Sequence, residues 1–190
     1  YNEDRMGATM DAYLNGFADP RLPKFFAKAK GDVYRGLRNG LRNGKNFQGN
    51  ENLSMPTITR STPYVWMTAA EVWLLRAEGA LFGWNMGGTP RELYEQGITT
   101  SLAQYGLASA AEAYLTSTAK PSAYPGLGTS TAAEAPSDIT PAWDESATKE
   151  KKLERIITQK WIAIYPLGQE AWSEFRRTGY PKLFPVVDNF

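Results

Sequence analysis

The stretch from residue 68 to residue 105 constrains the fold most. Thr68 with Glu71 makes a capping box, in which the two side chains satisfy each other's orphan backbone donors. The helix it opens, read as 68–84, is apolar on most sides. Val72, Trp73, Ala77, Ala80 and Trp84 follow one helical spacing, and Leu74, Leu75, Leu81 and Phe82 fill another side. A helix of that kind is buried among other helices. Gly87-Gly88 end the segment, and Thr89-Pro90-Arg91-Glu92 starts the next with a second capping box. Its proline stands where a missing N–H costs nothing. Tyr94, Ile98, Leu102 and Tyr105 form the new stripe, and Gly106 closes it. Two helices joined this tightly are an αα-hairpin. Its span of about 38 residues is close to the tetratricopeptide period of about 34. Gly79 and Gly97 are positions where facing helices can approach closely.

The remaining chain adds helices and long irregular segments. A short helix is expected over 3–16, with Met6, Met10, Tyr13 and Leu14 on one side, before Asp19-Pro20-Arg21-Leu22-Pro23 turns the chain. Ser109 with Glu112 forms a third capping box. A helix over about 148–165 carries Leu153, Ile157, Trp161 and Ile164, and a last one covers about 169–178 with Arg176 and Arg177 at its negative end. Gly179 caps it. Residues 31–63 are rich in Gly and Asn, and residues 117–147 in Ser, Thr, Ala and Pro. Both are read as long loops, which are usually functional or mobile. Sustained alternation is missing, so the fold class is all-α: a helical array of αα-hairpins with long irregular loops. The 190 residues suit one domain, 1–190.

Composition removes most catalytic designs. The chain has no His and no Cys, so these residues cannot build a Ser-His-Asp site, a thiol nucleophile or a His-bound catalytic zinc. A net charge of +1 recruits neither nucleic acid nor a membrane surface. Lys24, Lys28, Lys30, Arg35, Arg38, Arg42 and Lys45 stand against only Asp32. Without a nucleic-acid motif, that stretch reads as a solvated basic loop. Glu71 and Glu78 lie about 10.5 Å apart along a helix axis. Retaining glycosidases need about 5–5.5 Å and inverting ones about 6.5–9.5 Å. Asp138, Asp144 and Glu145 lie in a loop without EF-hand spacing. No catalytic residue, metal ligand or cofactor is assigned.

Three segments together resemble the C-terminal half of the SusD/RagB family. They are Met67-Thr68-Ala69-Ala70-Glu71-Val72-Trp73-Leu74-Leu75-Arg76-Ala77-Glu78-Gly79, Leu153-Glu154-Arg155-Ile156-Ile157-Thr158-Gln159-Lys160-Trp161-Ile162-Ala163-Ile164-Tyr165, and Gly168-Gln169-Glu170-Ala171-Trp172-Ser173-Glu174-Phe175-Arg176-Arg177-Thr178-Gly179-Tyr180-Pro181. Asp19-Pro20-Arg21 fits the same pattern. The resemblance implies a piece of a longer chain with a tetratricopeptide-like fold. It implies an outward-facing lipoprotein of a Gram-negative outer membrane, whose anchor lies outside this sequence. It also implies a glycan-binding, non-enzymatic receptor that delivers ligand to a SusC-like TonB-dependent transporter. The other reading of the same hairpin is a helical-repeat protein-interaction module, or a peptide-binding receptor, without sugar binding.

The matched segments read as structural, with Trp73, Trp161 and Trp172 expected in the core. Ligand contacts fall instead to loop aromatics with polar neighbours, since sugars need flat apolar faces beside planar hydrogen-bonding groups. The candidates are Trp143 with Asp144, Tyr124, Tyr64 and Trp66 beside Arg60, and Trp84 with Asn85. Trp143 and Tyr124 come first, because a long loop offers them few core neighbours. Asn39, Asn43, Asn46 and Asn50 are further hydroxyl partners.

Overall fold

The structure, a computed structural model, describes residues 4–40, 49–128 and 130–186. Arg42, Asn43, Lys45, Asn46 and the side chain of Asn50 lie outside the described residues. Among the described residues there are seven α-helices: α1 (Ala8–Gly16), α2 (Leu22–Phe25), α3 (Ala69–Leu81), α4 (Pro90–Gln104), α5 (Ala111–Leu115), α6 (Lys149–Ala163) and α7 (Gly168–Thr178). Extended pairing among the described residues is limited to isolated bridges such as Tyr124 with Ala133, so the fold is all-α. The chain divides into two compact units, a division the sequence reading does not draw. The first holds Tyr1–Ser61, Ala119–Asp138 and Leu183–Phe190, and the second Thr62–Thr118 and Ile139–Lys182.

In the second unit α3 packs along both α4 and α6, and α7 packs on α6. Thr68 caps α3 by accepting the Glu71 N–H at 3.1 Å. At α4 both halves of the expected box form between Thr89 and Glu92. The third box does not. A 3-10 turn, Ala108–Ala110, precedes α5, whose N-cap Ala110 has no side chain able to accept a bond. α3 also ends earlier than its apolar run, at Leu81. The Phe82 and Gly83 N–H groups close it on Gly79 and Ala80 carbonyls, and Gly83 then turns with φ 89°. Gly179 ends α7 with φ 74°, as expected.

Gly97 explains how closely α3 and α4 approach. A Cβ added there would stand 2.6 Å from Leu74 Cγ, a residue with no solvent exposure. Gly97→Ala should therefore cost stability although alanine favours helix. Overpacking costs about 1–3 kcal/mol, against a propensity gain of roughly 0.5–1 kcal/mol. Urea denaturation should show a lower midpoint; a higher one would mean that Leu74 yields freely.

The first unit is built around α1 and α2, with Met6, Tyr13, Leu14, Phe17, Phe25, Phe26 and Leu53 buried. The expected helix over 3–16 starts later, at Ala8, because residues 4–7 run extended. Residues 119–138, expected as part of an open loop, fold onto this unit. The Ser122 N–H donates to Ala12 O at 2.8 Å, and Arg38 donates to Thr131 O at 3.3 Å and Pro185 O at 2.7 Å. Asp19-Pro20-Arg21 proves structural. The Arg21 guanidinium, fully buried, grips both Asp19 carboxylate oxygens at 2.9 and 2.7 Å.

Candidate functional site

The α3–α4 turn is locked before it presents anything. Arg76 on α3 donates from Nε and Nη2 to Met86 O at 3.0 and 2.6 Å, and its guanidinium lies 4.3 Å from the centre of the Trp73 ring. Trp84 donates its backbone N–H to Gly79 O, and its six-membered ring rests near Gly79. The turn holds Trp84 67 % exposed. Asn85 beside it is exposed too, and its side-chain oxygen meets Gly87 N only at 3.4 Å. The sequence did not single out Phe82 as a surface residue, yet it is exposed in the same turn with the Lys149 ammonium 4.0 Å from its ring centre. An early helix end at Leu81 is what frees it.

Just before α3, Tyr64 and Trp66 are 72 % and 85 % exposed. Their rings meet edge to face at 5.3 Å, an arrangement that orients each against the other while leaving both side chains largely in solvent.

The two residues ranked first on sequence are placed otherwise. Tyr124 is only 3 % exposed, with its ring against Phe184 in the first unit and its backbone paired with Ala133. It offers no open face, because Phe184, far along the chain, packs against its ring. Trp143 is half-buried, with its ring 5.1 Å from Tyr94, its indole N–H donating to Glu145 and the Lys152 ammonium 5.7 Å from its ring centre. Its corner is pinned by Tyr94 OH on Pro141 O at 2.8 Å. Asp144 spends one oxygen on the Ser146 N–H and hydroxyl.

That bond to the Ser146 hydroxyl, with lesser contributions, holds the Asp144 carboxyl below the usual carboxylate range. Bonds from Trp143 and Lys152 do the same for Glu145. Both shifts run opposite to the raised pKa of a glycosidase general acid. The other carboxylate pair is also spoken for. Glu78 accepts both prongs of Arg177 at 2.5 and 2.7 Å, and Glu71 faces Lys160 at 3.5 Å. Among the described residues no group of His, Cys, Asp or Glu is arranged to hold a metal ion.

The Trp residues assigned to the core also separate. Trp73 and Trp161 are half-buried, whereas Trp172 is 55 % exposed and stacked on Phe175 at 6.0 Å. Its i, i+3 pairing with Phe175 puts both on one face of α7, which the sequence shows; that the face is open to solvent, it does not.

A helical array with aromatic side chains standing out from its connections is a tetratricopeptide-like scaffold. The chain belongs to the SusD-like family, described as Susd and RagB outer membrane lipoprotein, which it matches over residues 1–190. Solved relatives agree. A SusD homologue from Bacteroides thetaiotaomicron is 49 % identical with a TM-score of 0.90, covering 96 % of this chain and 40 % of that one. A chitin-binding SusD homologue from Flavobacterium johnsoniae is 45 % identical with a TM-score of 0.91, over 98 % of this chain and 39 % of that one. A homologue from Bacteroides vulgatus is 42 % identical with a TM-score of 0.91, over 99 % and 40 %. The chain thus spans about two-fifths of the length of these relatives. No curated protein matches it.

Proposed function

We propose that the intact protein is a non-enzymatic glycan receptor, held outward on the outer membrane by a lipid anchor and passing its ligand to a SusC-like TonB-dependent transporter. The observation that carries this reading is the exposure of Tyr64, Trp66 and Trp84 on the connections that flank α3. Large aromatics seldom stay in water without a partner, and a pyranose ring presents the flat C–H face that such side chains cover. Asn85 supplies amide groups for hydroxyls beside Trp84. The family's description as outer membrane lipoprotein supports the location, and the chitin-binding relative supports a saccharide ligand. Trp143, Asp144 and Tyr124 are left out of the exposed contact set: the Trp143 ring packs on Tyr94, one Asp144 oxygen is held by Ser146, and Tyr124 is buried.

The test is substitution in the intact receptor with chitotetraose as probe. Trp66→Ala and Trp84→Ala should each weaken binding about tenfold, which is roughly 1.4 kcal/mol, with the melting temperature unchanged. Full affinity in both variants would remove these residues from the site. The outward α3 face with Val72 and Leu75 favours a second reading, a protein-interaction module. It would gain if the receptor bound a transporter but no saccharide.

A further inference from the structure

We infer that an open cavity in the first unit is a second, smaller sugar site that takes one neutral pyranose ring. The inference rests on the glycan-receptor reading but uses none of its exposed aromatics. The cavity has a volume of about 260 Å³ and lies between α1, residues 33–35 and residues 122–125. Sites for drug-sized ligands run about 300–1,000 Å³, so this one suits a single ring better than an oligosaccharide.

Its wall combines the groups such a ring needs. Asp11, on the first turn of α1, accepts the Gly36 N–H at 2.7 Å on one oxygen and the Asn15 amide on the other. A carboxylate offers about four acceptor positions, so roughly two remain for ligand hydroxyls. Burial pushes the Asp11 carboxyl up, and the bonds from Gly36 and Asn15 and the charge of Arg35 offset this only in part. Arg35 stands on the same wall. Its backbone N–H is taken by Ser54, while no hydrogen bond or ion pair of its guanidinium is found among the described residues. One negative and one positive group at the same cavity balance each other, which favours a neutral ligand over an anion or a cation. Hydroxyls both donate and accept, so a vicinal pair can serve the carboxylate and the guanidinium together. Half-buried Tyr34 adds to the wall, and Tyr124 backs it from the core. Tyr124 thus lines a ligand space without being the open stacking face expected of it.

Saturation-transfer NMR of the intact receptor with N-acetylglucosamine, the single ring, tests this. Ala123→Trp fills the cavity from an exposed position on its rim, and Arg35→Met removes the donors but keeps the stem. The wild type should transfer saturation to the sugar. Both cavity variants should lose at least tenfold of that signal at an unchanged melting temperature, and Trp66→Ala should keep it. Loss in Trp66→Ala alone would overturn the cavity site while leaving the receptor reading intact. Absence of transfer in the wild type would also overturn it, and chitotetraose binding in the same sample would then show that the receptor reading survives.

Discussion

Lys160→Met should lower stability by about 3–5 kcal/mol, the usual consequence of removing one partner from a buried charge cluster. The ammonium, 1 % exposed, stands 2.8 Å from Glu170, 3.2 Å from Glu174 and 3.5 Å from Glu71. It ties α6 to α3 and α7, and without it three carboxylates face one another. Burial alone would push the Lys160 ammonium down, but Glu170 and Glu174 outweigh it and leave the group above the usual lysine value. Burial likewise pushes Glu174 up, yet Arg177 and Lys160 together hold it below the usual range. Glu71 goes the other way, since burial raises it and Lys160 offsets this only in part.

These directions fix the pH dependence. The stabilisation from Glu174 is present above its ordinary value of 4.5 and is lost as pH falls through its lower folded value. That from Lys160 is complete below 10.5 and is lost only as pH rises past its higher folded value. In Lys160→Met the uncompensated carboxylates bind protons more readily folded than unfolded, so the variant gains stability as pH falls from 7 toward 5. The gap to wild type should be widest near neutral pH and shrink in acid. Denaturation midpoints across that range measure it. A gap independent of pH would mean that packing, not charge, is what Lys160 supplies.

Arg21→Met should cost a similar amount, about 3–5 kcal/mol, by leaving Asp19 buried without its cation. The bidentate pair sits in the first unit with no side-chain exposure on either partner. Removing both charges should cost much less than removing one. A thermodynamic cycle over Arg21→Met, Asp19→Leu and the double variant isolates the coupling. A coupling below about 1 kcal/mol would show that the pair is dispensable to the fold.

What the sequence revealed was local. Thr89 and Glu92 are three residues apart, so their box is legible without the fold, and so is a glycine at position 97 facing a leucine-rich helix. Asp19-Pro20-Arg21 was legible as a pattern, and its bidentate pair shows why the pattern holds. Distant partners were not legible. Glu71 serves the Thr68 backbone, as a capping residue should, but it also meets Lys160 from a helix far along the chain. Nothing near Tyr124 in sequence announces Phe184, and nothing near Trp143 announces Tyr94. A long Ser- and Pro-rich stretch therefore looked like open loop when most of it packs. That Tyr64, Trp66 and Trp84 stand exposed was legible, because aromatics beside turns need no distant partner to stay exposed.

The receptor account is tested most directly by calorimetric titration of the intact protein with chitotetraose and a panel of other neutral oligosaccharides. The account predicts a saturable heat with at least one of them, returning to baseline with no new reducing ends released. A continuing heat with reducing ends appearing, or no binding across the panel while a SusC-like transporter is bound, would contradict it.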